Sequence, residues 1–462
     1  LCLMYAWGLL FGGEIEAYKR PLTAAEQIWK REENDTKLGE VFNLRADIAL
    51  SRNQLETGVK LARQALEFLD KEDAYNRNLS WMYLGSAYYP MGKIKQARQA
   101  LEKSRTMSQM SGNRYAYTAA SNTLGMVLVA QGQLEQAADL YRQVMQLSGD
   151  AVLHGGLVAQ ILYSHILLEW HDLDAAEQQL RPALELLEKT GLEIYAGVGY
   201  TFMALLLHAR GKTEQVHDFI DRAIQIECQL GDPFRERQAR AIKARLALMQ
   251  GDETAVTHWL QTNNIALDDE ADDYRHETEY LTLAQLFIAE GQDGAAKTFP
   301  LLSRLLARAT AQERVDSELR VWIISAMAHQ TVGNKTAALH ALECALTMAK
   351  PGGYIRVFVN EGEPMAALLR QAVRQGIVFS DKLLPALRNS LPKAQSPLLE
   401  TLTQREMQVL ALISVGATNR EIAQELVIAL STVKVHIKHI YNKLDVANRT
   451  QAAARARELN IL

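Results

Sequence analysis

Two phrases in the first half of the chain repeat each other forty residues apart. They are YYPMGKIKQARQAL, at residues 88–101, and LVAQGQLEQAADLY, at residues 128–141. Both have glycine at the fifth position, an apolar residue two places later and alanine three places after that. A phrase that recurs at a fixed interval indicates a repeat architecture, so the pattern should recur elsewhere in the chain.

The pattern recurs at intervals of 39 to 42 residues. Nine residues occupy the position of the glycine: Gly13, Asn53, Gly92, Gly132, His171, Gly211, Gly251, Gly291 and Gly333. Glycine or asparagine favours the left-handed conformation that ends one helix and turns into the next. Each repeat is therefore predicted to be a pair of helices. Because one pair cannot bury its own apolar face, the pairs should stack into an α-solenoid over residues 1–347.

The core of the repeat resembles a known motif. Leu84-Gly85 followed by Ala97 is similar to the Leu-Gly…Ala core of the tetratricopeptide repeat, although the period here is about six residues longer. After residue 350 the period ends. A β-branched run at 355–359, together with nearby glycine and proline, breaks the helical pattern. We therefore predict an all-α protein with a connecting segment at 348–398 and a last domain at 399–462.

Charge is distributed unevenly between these parts. From Ser380 to the end there are eleven Lys/Arg and seven Asp/Glu, a balance of +4 in a chain of net charge −4, so residues 1–379 carry −8. A basic tail behind an acidic body is typical of a polyanion-binding module joined to a part that does not bind polyanions.

The last domain contains four helical segments with residues typical of helix ends. These residues are Thr403 with Glu406, Thr418 with Glu421, Gly416, Ser431 and Asn448. The two threonine–glutamate pairs have the spacing of capping boxes, Gly416 should end the first helix, and Ser431 and Asn448 should cap the third and fourth. The second helix, a short turn around Val427–Leu430 and the third helix follow the helix-turn-helix plan.

The third helix has an apolar side and a cationic side. At 100° per residue, Val433, Ile437, Ile440 and Leu444 form one stripe with Tyr441 at its edge, which should be buried. The other positions carry no acid: Ser431, Thr432, Lys434, Val435, His436, Lys438, His439, Asn442 and Lys443. An outward valine suits a thymine methyl, and lysines suit phosphates or guanine edges. The alternative is a solvated charged face without a ligand.

The stretch from Leu402 to Arg449 resembles the LuxR-type helix-turn-helix. The matching residues are Leu402-Thr403, Arg405-Glu406, Gly416, Thr418-Asn419, Glu421-Ile422-Ala423, Leu426, Thr432-Val433-Lys434, His436, Lys443-Leu444 and Arg449. The resemblance implies that the third helix enters the major groove of promoter DNA, that Thr418 and Asn419 also contact DNA, and that Val446, Arg449 and Ala453 make dimer contacts. It also implies a cytoplasmic regulator that contacts RNA polymerase as a dimer or higher oligomer, with no membrane partner. Ala429 departs from the Ser or Thr common in the family.

GYIRVFVNEGEPMAALL, at 353–369, follows the repeats and is similar to the MalT-type large regulators of this family. Those carry an ATPase domain, then a repeat superhelix that senses an inducer, then the DNA-binding domain. The resemblance implies that ATP belongs to an upstream domain, and no cofactor is expected on these residues. We also expect the apolar opening LCLMYAWGLLFGG to continue a helix that begins upstream.

The first helices of stacked repeats usually line the concave face of a solenoid. The phase of the repeats places these residues on or near that face: Asn43, Asp47, Ser86, Tyr89, Asn122, His165, Thr201, His208, Arg245 and Gln285. Such a groove could receive a small-molecule inducer or a regulatory protein, and a sugar or a peptide would fit equally well. Each residue alone could also be an ordinary solvated position.

Other function classes have less support. Gly211-Lys212-Thr213 looks like the end of a P-loop, but the glycine required five positions earlier is Leu206, so no nucleotide site is predicted. We find no metal-spaced His/Cys cluster, nucleophile motif or glycine-rich loop, and predict that the chain is not an enzyme. The alternative to a signal-receiving regulator is a repeat scaffold that binds proteins and is merely tethered to DNA.

Overall fold

A computed structural model of the chain describes residues 19–148, 154–190, 195–269, 274–377, 383–390, 402–444, 446 and 448–458. All regular structure in these residues is helical, which confirms the all-α prediction. The chain divides into two compact units, Leu1–Asn360 and Glu361–Leu462. The division falls inside the segment 348–398 that was predicted to connect two domains.

The first unit consists of helical pairs in chain order. A helix α1 (Lys19–Arg31) precedes α2 (Asp35–Ser51), α3 (Leu55–Phe68), α4 (Ala74–Tyr88), α5 (Ile94–Ser111), α6 (Arg114–Ala130), α7 (Leu134–Ser148), α8 (His154–Glu169) and α9 (Leu173–Thr190). There follow α10 (Ala196–Ala209), α11 (Thr213–Leu230), α12 (Pro233–Gln250), α13 (Glu253–Thr262), a 3-10 turn (Tyr274–His276), α14 (Glu277–Ala289), α15 (Gln292–Ala311), α16 (Val315–Thr331), α17 (Lys335–Gly352) and α18 (Arg356–Val359). The run at 355–359 that breaks the repeat pattern is thus mostly the short helix α18.

Seven of the eight described turns between paired helices have the positive φ of the left-handed conformation that the sequence predicts, whereas Gly291, with φ 106° and ψ −158°, has a different one. At the eight turn positions in the described residues, φ lies between 57° at Asn53 and 106° at Gly291. Gly13, the ninth predicted turn, lies outside the described residues. His171 adopts φ 63°, and histidine, with asparagine and aspartate, is one of the residue types other than glycine that most often take this conformation.

Small residues bring paired helices close together. Ala97 and Ala137, predicted at this position of the repeat, are fully buried. On the facing helix, a Cβ at Gly85 would overlap the side chain of Leu101, and one at Gly125 would overlap Tyr141. Only glycine allows this approach, so the Leu-Gly…Ala pattern fixes the spacing of the helices within a pair.

Early and late repeats also touch, along a line that we call the seam. Its hydrogen bonds and ion pairs join Lys95 to Glu313 (2.5 Å), Tyr354 Oη to the Val129 carbonyl (3.4 Å), Trp170 Nε1 to the Gly352 carbonyl (2.9 Å), Arg320 to Glu169 (2.6 Å) and the Ile355 N–H to the Glu169 carbonyl (2.9 Å). The solenoid therefore closes on itself within the first unit, with the turns of the early repeats held against the late helices.

The second unit contains six described helices. They are α19 (Gly362–Arg374), α20 (Leu383–Ser390), α21 (Gln404–Ser414), α22 (Asn419–Glu425), α23 (Leu430–Leu444) and α24 (Arg449–Glu458). The last four share one apolar core of Val409, Leu410, Ile413, Ile422, Val433, Ile437, Ile440, Leu444, Ala452 and Ala456. Among the helices that the structure describes, none combines the length and apolarity that a membrane span requires.

Candidate DNA-binding surface and solenoid groove

Local sequence signals position α21 and α22. The hydroxyls of Thr403 and Thr418 accept hydrogen bonds from the N–H groups of Glu406 and Glu421, and each glutamate side chain accepts from the N–H of its threonine. Both predicted capping boxes are therefore confirmed. Gly416, with φ 89°, ends α21 one residue after its C-cap. The turn at Gly416 and the cap at Thr418 thus together fix where α21 ends and α22 begins.

The start of α23 differs from the prediction. The Val433 N–H donates to the Ala429 carbonyl at 3.1 Å, so the helix begins at Leu430. Ser431 therefore lies inside the first turn, and its predicted role as the N-cap is wrong. By contrast, the Asn448 side chain accepts from the Gln451 N–H at 2.9 Å and caps α24 as predicted.

The predicted phase of α23 is confirmed. Val433 and Ile440 are fully buried, Leu444 is 2% exposed and Ile437 8%. Val435 is 51% exposed, on the other side of the helix. The apolar stripe therefore anchors the helix to the core and leaves its polar side accessible.

The accessible side of α23 carries cations and hydroxyls. Ser431, Thr432, Lys434, Lys438 and His439 are exposed, whereas His436 is half-buried. The side chain of Asn442 lies outside the described residues. Thr418 is exposed and Asn419 half-buried at the start of α22. Such a face, with one exposed valine among donors, can approach both the phosphates and the base edges of a duplex.

Lys443 faces the interior of the domain. Its Nζ donates to the Glu406 carboxylate at 2.8 Å, and the lysine side chain is 15% exposed. Burial opposes ionisation of Glu406, but hydrogen bonds from Lys443 and Thr403 outweigh it and hold the pKa of this carboxyl below its ordinary value. The pair joins the cap of α21 to the last turn of α23. In our assignment Lys443 therefore positions the helix, and we withdraw it from the predicted DNA contacts.

Two of the three predicted dimer residues make contacts inside the domain. The Arg449 guanidinium donates to the Asn419 amide oxygen at 3.3 Å and to the Ala417 carbonyl, so it holds the start of α22. Val446 packs against the apolar core. Ala453 is half-buried on α24. Dimer formation through α24 therefore stays a prediction, and it does not depend on Arg449 or Val446.

In the solenoid, two predicted groove residues instead connect successive repeats. Asn43 is 2% exposed, and its amide donates to the Asn76 carbonyl at 2.9 Å. Asn122 is 4% exposed and donates to the Gly155 carbonyl at 2.8 Å. Each bond spans thirty-three residues to the start of the next pair. We therefore remove both asparagines from the candidate groove.

Of the remaining groove candidates, Thr201 is 7% exposed and its hydroxyl donates to the Gly197 carbonyl at 2.9 Å, whereas the others are partly accessible. Ser86, Tyr89, His165, His208 and Arg245 are all half-buried. The ring of His165 stacks on Phe202 with centroids 4.7 Å apart. Burial raises the pKa of Tyr89 to about 12 and lowers the pKa of His208 to about 4, so both groups are neutral near pH 7. A groove lined by these residues stays a prediction.

The seam adds polar residues that the repeat pattern did not reveal. Glu169 is 6% exposed and pairs with Arg320, which also bonds to Asp316 at 2.9 Å. A single-repeat pattern carries no signal for a pair that is separated by 151 residues.

Two family models match the chain. One, described as the MalT-like TPR region, matches residues 39–375, and the other, described as bacterial regulatory proteins of the luxR family, matches residues 400–456. The HTH-type transcriptional regulator MalT of Serratia proteamaculans (strain 568) is 28% identical over 509 aligned positions, covering 99% of this chain and 54% of that protein. The MalT regulator of Vibrio cholerae serotype O1 is 26% identical and covers 91% of this chain and 49% of its own length. The chain spans about half the length of the curated relatives it matches.

A solved structure supports the solenoid fold. The crystal structure of a Rap protein complexed with Competence and Sporulation Factor matches 76% of this chain and 97% of its own, with a TM-score of 0.61 at 10% identity. At that identity the likeness concerns the fold alone. The family models and the helical repeats agree with the resemblances drawn from the sequence. The chain belongs to the MalT-like TPR family, and its C-terminal domain belongs to the luxR family of bacterial regulatory proteins.

Proposed function

We propose that this chain is the signal-receiving and DNA-binding part of a transcriptional regulator. The observation that carries the proposal is the exposed, acid-free face of α23, opposite a stripe that the core of the domain buries. A major groove about 12 Å wide accepts a helix that presents such a face. The curated relatives, which are named HTH-type transcriptional regulators, support the same role.

The exposed residues have distinct roles in this proposal. Lys434 and Lys438 neutralise phosphates, which gives affinity that depends on salt and little on sequence. Val435 contacts a thymine methyl, while Thr432 and His439 reach base edges or phosphates. Thr418 and Asn419 bind the backbone from the start of α22, which Arg449 holds in place.

Titration against DNA tests these roles. Selection from a random oligonucleotide library with the full chain first identifies a preferred duplex. Val435→Ala should then weaken binding to that duplex by roughly fivefold or more, about 1 kcal/mol, and should change binding to a scrambled duplex much less. Lys438→Ala should weaken both duplexes and reduce the salt dependence by about one unit of slope.

A matched control exists in the same unit. Val415 is 78% exposed but is the C-cap of α21 and not part of α23, so Val415→Ala should leave both titrations unchanged. If the wild-type chain selects no duplex, or if Val415→Ala and Val435→Ala weaken binding equally, α23 does not read DNA as proposed.

The solenoid receives the signal in this proposal. Residues 1–379 carry a formal charge of −8, which does not favour contact with a polyanion, whereas the inner side of the first helices offers accessible polar groups. The Rap structure, whose fold matches, is a complex with a factor. We therefore assign the solenoid to a small molecule or a regulatory protein.

The remaining partners follow from DNA binding. A regulator at a promoter contacts RNA polymerase and acts where bacterial DNA lies, in the cytoplasm. Binding as a dimer or higher oligomer through α24 fits the pseudo-symmetric sites of helix-turn-helix proteins. We propose a binding protein rather than an enzyme. Analytical ultracentrifugation of the chain with its selected duplex measures the stoichiometry, and one chain per duplex would contradict the dimer.

A further inference from the structure

The helix α22 has little apolar packing of its own. Of its seven residues, Asn419–Glu425, only Ile422 is fully buried. Ala423 and the C-cap residue Leu426 contact the core of the domain with partly buried side chains. A helix this short is not stable by itself in water, so contacts from its neighbours must determine where it lies.

Two arginines on neighbouring helices hold the two ends of α22. Arg405, in the first turn of α21, donates from Nη2 to the carbonyl of Leu426 at the end of α22. Arg449, the first residue of α24, donates from Nη2 to the carbonyl of Ala417, directly before the N-cap of α22. Both arginines are half-buried. Because a guanidinium donates strong, charge-assisted hydrogen bonds, these two contacts fix α22 between α21 and α24.

Arg449 also determines which way the amide group of Asn419 points. Its Nη1 donates to Asn419 Oδ1 at 3.3 Å. A guanidinium has donors only, so the amide oxygen faces Arg449 and the NH2 group is turned away from it. Among the described residues, none accepts a hydrogen bond from that NH2 group. Asn419 therefore keeps an unused donor beside the exposed side chain of Thr418.

We propose that Arg449 is a positioning residue for DNA binding, which presents the Asn419 NH2 group as a donor to a phosphate of the duplex. Arg405 holds the opposite end of the same helix and so fixes its direction. Phosphate oxygens only accept hydrogen bonds from side chains, so an asparagine that contacts a phosphate must offer its nitrogen. This role rests on the proposed function, in which Thr418 and Asn419 bind the backbone of the duplex.

Reversing the polarity of the Asn419 side chain separates this role from a structural one. Asn419→Asp keeps an oxygen that accepts from Arg449, and an acid is favourable in the first turn of a helix, so α22 should keep its protection from hydrogen exchange. The aspartate has no donor and carries a charge that a phosphate repels. In titrations of the full chain it should weaken binding to the selected and the scrambled duplex alike, by about tenfold.

Loss of either arginine should destabilise α22 and leave the rest of the domain folded. In the full chain, Arg405→Gln and Arg449→Gln should each speed hydrogen exchange in α22 by roughly tenfold, while α21 and α23 stay protected. Each should weaken both duplexes by roughly fivefold, because α22 contacts the DNA backbone. Arg405→Lys, which still donates one hydrogen bond to the Leu426 carbonyl, should recover binding. Arg374→Gln is the matched control, since it removes the same charge at an exposed position of α19.

Unchanged exchange of α22 in both glutamine variants would overturn the proposal. Loss of protection in all four helices of the domain in both variants would also overturn it, because the arginines would then act on overall stability. If one glutamine variant alone unfolds, the other variant and Asn419→Asp retain the test.

The DNA titrations distinguish failure of this role from failure of the proposed function. If Asn419→Asp binds both duplexes as the wild type does, while Val435→Ala weakens binding to the selected duplex, the role of Arg449 is wrong and the proposed function stands. If the wild-type chain selects no duplex, the proposed function is wrong and this role falls with it.

Discussion

The two units differ in how far they expose their charged side chains. The solenoid buries several, among them Arg314 at 1% exposure and Glu227 at 2%. In the described part of the second unit, Glu406 alone is both charged and buried, while the lysines Lys434 and Lys438 of α23 are exposed. Charges that face outward are available to a polyanion, whereas a buried charge such as Arg314 interacts with the helices around it. The difference fits the proposal that the C-terminal domain binds DNA through its surface, and it shows that the solenoid keeps part of its charge inside its own core.

Removing a buried cation from the solenoid should have the largest effect. Arg314 binds the Glu277 carboxylate, bonds to Ser317 at 2.6 Å and lies over the Tyr274 ring at 4.4 Å. Arg314→Met leaves Glu277 buried without its counter-ion and should lower the free energy of unfolding by about 3–5 kcal/mol. Denaturant unfolding of the full chain measures the change. The double variant Arg314→Met with Glu277→Leu should recover most of the loss, and equal instability of the two variants would contradict the argument.

The matching test in the second unit truncates one side chain of its apolar core. Ile437→Ala removes a residue that is 8% exposed on the buried stripe of α23 and should cost roughly 3 kcal/mol, within the range for such truncations. DNA binding is then lost through unfolding. Hydrogen exchange of α21–α24 in the full chain measures the loss of protection. Val435→Ala, on the exposed side of the same helix, should leave exchange unchanged, and the reverse pattern would show that the helix phase is wrong.

The sequence was sufficient to predict the structure where the residues that determine it are close together along the chain. The left-handed turns at Gly92 and Gly132 follow from the repeat phrase, and the capping boxes at Thr403 and Thr418 follow from a three-residue spacing. The phase of α23 follows from its period, which places Val435 outward. In each case the residues that determine the conformation lie within about one or two helical turns of each other.

The sequence was insufficient where distant segments meet. Lys443 appeared to be a phosphate contact because its partner Glu406 lies thirty-seven residues earlier. Asn43 and Asn122 appeared to line the groove, although the same amide at the same phase of two repeats is a signal for a structural bond between pairs. The hydrogen bond from the Ile355 N–H to the Glu169 carbonyl depends on how the whole solenoid closes, which no repeat encodes alone.

A pH experiment tests a buried acid of the solenoid that makes no hydrogen bond through its carboxylate. Glu227 on α11 has no hydrogen-bond partner for either carboxylate oxygen, and burial raises its pKa to about 7, against the opposing charge of Arg235. The folded chain therefore holds this proton more tightly than the unfolded chain. As a result, stability falls as the pH rises from about 4.5 through 7. Glu227→Gln removes the charge and should stabilise the chain at pH 8 by about 2 kcal/mol.

Thermal unfolding at pH 5 and pH 8 measures this effect. Glu227→Gln should reduce the difference in stability between the two pH values, because its amide does not titrate. Glu214→Gln, at an exposed position of the same helix, should change neither value. If Glu227→Gln destabilises the chain at pH 8, the carboxylate has a partner that stabilises its charge.

The smallest expected effect concerns backbone conformation in the helix-turn-helix. Val427 is 89% exposed at φ 52°, a left-handed conformation that is unfavourable for a β-branched residue. Val427→Gly should therefore stabilise the second unit by about 1 kcal/mol. Val415→Gly is the control, because Val415 is exposed at φ −92° and gains nothing from glycine. Hydrogen exchange of α22 and α23 compares the two, and equal effects would rule out relief of strain at Val427.

The seam has a consequence for how this protein can change over evolutionary time. An open array of helical pairs couples only neighbours, so it can gain or lose a repeat at its ends or in its middle. Here Lys95 must meet Glu313, and Glu169 must meet Arg320. Insertion or deletion of one forty-residue unit between them would misalign both ion pairs. The number of repeats between the two sides of the seam is therefore fixed by geometry, and the array should melt as one cooperative block rather than fray from its ends.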